Sequence, residues 1–236
     1  MDVLGIIPAR GGSKGIPRKS IVPLLGRPLL SYTADAALES QCVNRLILTT
    51  DDEEIAAIGR SAGLEVPFKR PTDLSGGDVP VLRVMQHALQ MLEANEGYIP
   101  TGVVLLQPTS PLRRAEHIEE AVKLFEETGA DSVVSVVNVP HQFSPLSVLR
   151  LTGVRLKPWI DGPIVTRRQA KPTLYARNGP AVLVSKRTVL LEGNSLYGMD
   201  CRPFFMTAED SIDIDTPFDL KLATLLLSER SSPTPT

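Results

Sequence analysis

Apolar and polar positions along this chain fall into two alternating rhythms. Short, nearly continuous runs of aliphatic and β-branched residues read as strands: VLGII (3–7), RLILTT (45–50), LEVPF (64–68), GVVLLQ (102–107), DSVVSVVNV (131–139) and AVLVSK (181–186). Between them, apolar residues at three- and four-residue spacing predict helices over 28–40, 53–62, 79–95 and 115–129. Pro28 suits a first helical position, Asp51 or Asp52 can cap the second helix, and Gly63 ends it. The stretch SIDIDTPFDLKLATLLLSE (211–229) reads as a strand followed by a helix, with Thr216 capping and Pro217 at its start.

Strand–helix alternation predicts right-handed crossovers and an α/β fold: a doubly wound, mostly parallel, Rossmann-like sheet. The stretch 140–180 breaks the rhythm with prolines, short β-like pieces and a basic patch, TRRQAKP, so it reads as an inserted lid or small β-rich dimerisation region. The expected organisation is one domain over 1–229 carrying that insertion, with a disordered tail at 230–236.

Composition narrows the class. The 236 residues are 42% hydrophobic with a net charge of -2, which argues against a general nucleic-acid binder or a membrane-surface protein. No apolar run approaches a membrane span, and VLGIIP is too short for a signal sequence. Cys42 and Cys201 form neither a metal-ligand spacing nor a disulfide framework, so a cytoplasmic protein with reduced thiols is expected.

Positive charge is nevertheless concentrated in one place. PARGGSKGIPRK follows the first strand, so flexible backbone N–H groups and the cations Arg10, Lys14 and Lys19 gather where open α/β sheets bind ligands. The spacing is neither a P-loop nor G-x-G-x-x-G; it reads as a polyphosphate loop, which excludes a dinucleotide dehydrogenase. LQPTSPLR (106–113) follows the most apolar strand and offers Gln107, Thr109 and Ser110 to a sugar or base. In SIDIDTP (211–217), strand alternation would turn Asp213 and Asp215 to one side and Ile212 and Ile214 to the core. Paired carboxylates with oxygen-only donors suit Mg²⁺ beside substrate phosphates. Together the three motifs suggest metal-assisted chemistry on a nucleoside triphosphate.

Read together, IIPARGGSKGIPRKSI, RPTDL, HAL, LQPTSPLR, RRQ, NG and SIDIDTPFDL resemble the N-acylneuraminate cytidylyltransferase (CMP-sialic acid synthetase) family, in its order and over most of the chain. The resemblance implies CMP transfer from CTP to the anomeric hydroxyl of a nonulosonic 2-keto sugar acid, with Mg²⁺ as cofactor and pyrophosphate as product, by a homodimer whose inserted region completes the partner's site. It implies that Ala9, Arg10, Gly11, Gly12, Ser13, Lys14, Lys19, Ser20, Arg70, Asp78, Pro108, Thr109 and Ser110 hold the nucleotide. Arg10 and Lys19 would act on its phosphates, and Asp213 and Asp215 would hold the metal; these four are the expected catalytic residues. Gln107, Arg168, Gln169, Asn178 and Gly179 would face the sugar acid, where an arginine can pair with its carboxylate. The alternatives are a CMP-Kdo-type or other sugar nucleotidyltransferase, or a non-catalytic nucleotide-binding relative.

The chain departs from the family's wording at Ser20, at Gly77 with Asp78 one residue on, over 139–145, at Ala170 and at Leu183. Most of these lie on the sugar side, so the expected acceptor differs from N-acetylneuraminate, with deaminated, legionaminic-type and pseudaminic-type acids as candidates. His87 is expected beneath the first loop, His117 on a helix surface, His141 in the sugar-side loop and Trp159 in lid or interface packing; no residue stands out as a general base.

Overall fold

VLGIIP, buried over its first five residues, forms β1 (Val3–Pro8) inside the sheet of this computed structural model, which describes residues 1–231 apart from 14, 163, 164 and 166. A small ribbon, β2 (Pro23–Leu24) and β3 (Arg27–Pro28), follows and leads into α1 (Leu29–Glu39). Pro28 is the N-cap of α1 rather than its first residue. Next come β4 (Arg45–Thr49), α2 (Glu53–Ser61), α3 (Val81–Glu96), β5 (Gly102–Leu105), α4 (Ala115–Thr128) and β6 (Ser132–Asn138). Asp52, not Asp51, caps α2, accepting from the N–H groups of Glu54 and Ile55.

The insertion holds the hairpin β7 (Leu149–Thr152) and β8 (Arg155–Pro158), which among the described residues pair only with each other, and then β9 (Tyr175–Arg177). The chain returns through β10 (Leu183–Lys186), a short α5 (Arg187–Leu191), β11 (Cys201–Phe205) and α6 (Pro217–Ser231).

Strand order is β11-β6-β10-β5-β1-β4, with β9 also on β6. β1 is parallel to β4 and β5, and β11 is parallel to β6, while β10 runs antiparallel between β5 and β6. The sheet is therefore mostly parallel and wound on both faces. Ile7, Val104 and Val133 pack under α1, α2 and α4. Leu4, Ile6 and Val103 pack under α3 and α5. A third cluster joins Ile16 of the first loop, Leu112 of the second and Ile214 of the third beneath α6, so one apolar nucleus sets the spacing of all three chemistry-bearing loops.

Five expectations change. LEVPF is no strand: Glu65 and Lys69 make isolated bridges to Ile47 and Thr50, and Pro67 between them lacks the N–H that would continue a ladder. Residues 211–215 lie outside any strand, although Ile214 is fully buried as expected. β11 was not anticipated, because Pro203 demotes its pattern; β11 pairs with β6 alone, and an edge strand accepts proline. His117 is buried, not superficial, its Nδ1 accepting from the Arg114 N–H at the start of α4. Helix α6 continues through Arg230 to Ser231, so only 232–236 of the expected tail lies outside the described residues.

Candidate active site

Acidic residues after β4 shape the loop that follows β1. Gly11 N–H donates to Asp51 Oδ1 at 3.2 Å, and Arg18, in the left-handed region at φ 52°, donates to both oxygens of Asp52 at 2.9 and 3.0 Å. Arg70 reaches back across the same corner. It is nearly fully buried, donates to the Ala9 carbonyl at 2.8 Å and to Asp51 at 3.3 Å, and touches Ser75 Oγ at 3.3 Å. Burial pushes the Arg70 pKa down, against the pull of Asp51. The loop after β1 is thus bound to the turn after β4 before any ligand enters.

Its other end meets the carboxylate loop. Lys19 Nζ donates to the Ile214 carbonyl at 2.8 Å and to Asp215 Oδ1 at 2.7 Å. Gly15 lies so close that a Cβ there would sit 2.5 Å from the Asp215 carbonyl oxygen, so only glycine permits this contact. Asp215 and Thr216 are held in turn by Asp219, which accepts from both their N–H groups at 3.1 and 2.7 Å.

The second loop joins the other two. Thr109 accepts the Ile214 N–H at 2.8 Å, and Gln107 Nε2 donates to the Gly179 carbonyl at 2.7 Å. Gly179 adopts φ +114°, where a Cβ would stand 3.3 Å from the Asp213 carboxylate and 3.4 Å from Ser110 Oγ. At this glycine the segment between β9 and β10 touches both polar loops.

A cavity of about 500 Å³ opens between these walls. Of the residues expected at the site, Ala9, Arg10, Ser13, Lys19, Ser20, Arg70, Gln107, Pro108, Thr109, Gly179, Asp213 and Asp215 line it. Gly11 is turned to Asp52, Gly12 borders open space, and Ser110 lies buried just behind the wall with an unpartnered hydroxyl. Lys14 lies outside the described residues. Asp78 does not line the cavity, whereas Gly76 and Gly77 do.

The expected sugar-side residues divide. Arg168 lines a separate hollow of about 390 Å³ with His141 and Lys171, and Gln169 is exposed on the same 3-10 turn. Asn178 is buried and fully engaged. Its Oδ1 accepts from Ser135 Oγ at 2.5 Å and Ala181 N–H at 3.3 Å, and its Nδ2 donates to Ser211 Oγ at 2.9 Å and Met206 Sδ at 3.4 Å. Asn178 holds the β9–β10 connection rather than facing the cavity. Trp159 and Tyr175 are exposed, the latter edge-on to Phe205.

Two features escaped the sequence reading. Leu74, Val79, Val81 and Val84 give the cavity an apolar side; the glycines of SGGD between them were the available signal. Arg113, at the end of LQPTSPLR, is buried and pulls the second loop shut. His87, expected beneath the first loop, stands edge-on to Phe68 beside the segment that carries Arg70 and Asp73, and burial pushes its pKa down.

The carboxylates are electrostatically unequal. Burial raises the Asp213 pKa, with Asp215 adding to it and Thr109 and Lys19 opposing, while its Oδ1 is buried without a hydrogen-bond partner. Asp215 is largely exposed and neutralised by Lys19. An orphaned carboxylate oxygen beside a second carboxylate is an oxygen donor pair that fits Mg²⁺, and Lys19 occupies the position of a counter-cation. No cluster of three or more acidic, histidine or cysteine residues able to hold a metal occurs among the described residues, so water and substrate oxygens would have to complete the shell.

Comparison with known proteins gives a concordant picture. The cytidylyltransferase family pattern matches residues 4–219. CMP-N,N'-diacetyllegionaminic acid synthase of Legionella pneumophila is 33% identical over 96% of this chain and 97% of its own. Pseudaminic acid cytidylyltransferase of Campylobacter jejuni is 39% identical over 96% of both. N-acylneuraminate cytidylyltransferase of Escherichia coli is 32% identical over 97% of this chain, which spans only 53% of that protein. Among solved structures, CMP:2-keto-3-deoxy-manno-octonic acid synthetase complexed with CTP superposes with a TM-score of 0.72 at 16% identity, covering 98% of this chain and all of the other, a likeness of fold.

Proposed function

This chain belongs to the cytidylyltransferase family, and on that premise we propose that it transfers CMP from CTP to the anomeric hydroxyl of a nonulosonic 2-keto sugar acid. The hydroxyl oxygen forms a bond to the α-phosphorus, the bond from that phosphorus to the pyrophosphate oxygen breaks, and the hydroxyl proton is lost to solvent. The observation that carries this reading is the meeting of the phosphate-type loop and the carboxylate pair at one cavity, tied by Lys19 to Asp215.

In this reading Arg10, Lys19 and the backbone of residues 9–13 take the triphosphate, with Arg70 fixing the loop's curvature from behind. Charge neutralisation arranged before the substrate binds is usually the largest single contribution to such a transfer, and these cations would supply it. Asp213 and Asp215 would hold Mg²⁺, which when bound polarises the phosphoryl oxygens and stabilises the leaving group. Gln107 orients the sugar side through its bond to Gly179.

The acceptor we favour is a legionaminic- or pseudaminic-type acid. Relatives named for those two acids match nearly the whole chain, and the departing segment 139–145 shares a hollow with Arg168, whereas Leu183, expected on the sugar side, is buried inside β10 and carries no argument about the acceptor. Two copies are proposed to pair through the insertion. On the β7–β8 hairpin the cross-strand partners Leu151 and Leu156 and the neighbouring Leu149 leave an apolar face uncovered. An isolated two-stranded hairpin is marginal without a packed face. The site of action is proposed to be the cytoplasm, where CTP is available; no helix among the described residues is long and apolar enough to cross a membrane.

Pyrophosphate release with CTP and a panel of 2-keto sugar acids, with and without Mg²⁺, tests the proposal. Release is expected with at least one nine-carbon acid and preference over N-acetylneuraminate for a legionaminic- or pseudaminic-type acid. Release with none of them would overturn the function, and efficient use of N-acetylneuraminate alone would overturn the acceptor.

A further inference from the structure

Among the described residues two arginines are buried, Arg70 and Arg113. Arg70 has Asp51, and Arg187, whose Nε is buried, has Glu93. Arg113 does not follow that pattern. It is 3% exposed, and each of its hydrogen bonds ends on an uncharged oxygen: Nη1 donates to the Ala181 carbonyl at 2.6 Å and the Gln107 carbonyl at 3.2 Å, and Nη2 donates to Thr33 Oγ1 at 2.5 Å. Its Nε is buried without a partner. Burial alone drives its pKa down, with no carboxylate opposing the shift.

A lone buried charge is costly, and a neutral side chain of similar size would spare the fold that cost. The location explains why the charge is kept. Gln107 begins the second loop and lines the cavity, and Ala181 follows Gly179, which also lines it. Arg113 therefore stands directly behind the two cavity segments that Gln107 Nε2 joins in front. The substrates proposed above bring a triphosphate and a carboxylate, both anionic, to that cavity.

We propose that Arg113 is a positioning residue of the substrate site: its hydrogen bonds fix the Gln107 and Gly179–Ala181 segments, and its unpaired positive charge, beyond those bonds, favours the anionic nucleotide in the cavity. A unit charge about 10 Å from another, at an effective dielectric of about 20, shifts a binding equilibrium by roughly tenfold. Lysine keeps the charge but cannot bridge three separated acceptors; glutamine and methionine lose the charge.

Isothermal calorimetry of CTP binding to the full chain tests this, with circular dichroism to establish folding. Arg113→Lys should keep CTP affinity within about threefold, and Arg113→Gln and Arg113→Met should lose roughly tenfold. The gap between the lysine and neutral variants should narrow as salt rises. Affinity unchanged in folded Arg113→Gln would overturn the proposal. So would a tenfold loss in folded Arg113→Lys, the result a purely structural staple predicts; this variant decides the question even if neither neutral one folds. The inference rests on the CTP reading. No CTP binding by the unaltered protein would overturn both, whereas normal binding that ignores the charge at 113 would overturn only this one.

Discussion

Asn178 stands at a motif that resembles a sugar-binding segment, yet its amide is wholly engaged inside the protein, and replacing it separates the two roles. Asn178→Ala removes the acceptor for Ser135 Oγ at 2.5 Å and Ala181 N–H at 3.3 Å, and the donor to Ser211 Oγ at 2.9 Å. Ser211 keeps its bond to the Thr207 carbonyl, but the Ala181 N–H and the Ser135 hydroxyl lose an acceptor in the interior. Two such buried groups cost about 2–4 kcal/mol together. For a chain of this size each kcal/mol moves the melting point by roughly 2–4 °C, so a fall of about 5–15 °C is expected. Differential scanning calorimetry measures it, and the KM for the acceptor, determined well below the transition, supplies the contrast. A melting point within about 2 °C of the unaltered protein, with a raised acceptor KM, would refute the structural assignment and return Asn178 to the substrate.

Three further outcomes follow from the geometry. Gly15→Ala should depress kcat strongly, because its Cβ would press on the Asp215 carbonyl at 2.5 Å, while Gly12→Ala, facing open space, should fold and melt normally. The Asp210 carboxyl is raised by burial, but hydrogen bonds from Thr207 and Arg230 outweigh this and hold it below its ordinary value. Its stabilisation is therefore present above the ordinary carboxylate range and lost as pH falls through the depressed value, so Arg230→Met should destabilise the protein by about 1–3 kcal/mol at neutral pH and raise the midpoint of acid unfolding. Light scattering of the unaltered chain tests the proposed pairing by giving a dimer, and Leu151→Glu, on the uncovered hairpin face, should then give monomers with an unchanged far-UV spectrum; a dimer that survives the substitution would remove the hairpin from the interface.

What could be read in the chain depended on how local the cause was. Buried parallel strands announce themselves as apolar runs, so β1, β4, β5 and β6 were legible to within a residue or two. β11 was not, because Pro203 is tolerated only on account of the strand's edge position, which sequence does not state. The carboxylate pair was found for a partly mistaken reason. Residues 211–215 form no strand, and both carboxylates reach the cavity because Ile214 is buried and its N–H is held by Thr109. The cavity's apolar side and the buried charge of Arg113 arise from tertiary packing alone. His117 follows the same rule: its helical pattern suits a surface, but Asp210 and Phe204, distant in sequence, cover it.

Cytidylyl transfer is proposed to occur in the cavity where Lys19 meets Asp215 and which Asp213 also lines. Phosphorus NMR of CTP with an accepted sugar acid and Mg²⁺, comparing the unaltered chain with Asp213→Asn, tests it most directly. The unaltered chain should form CMP-sugar and pyrophosphate in equal amounts, and the variant should be slower by about a hundredfold or more. Near-normal turnover by Asp213→Asn, or CTP consumed with no CMP–sugar bond formed, would contradict it.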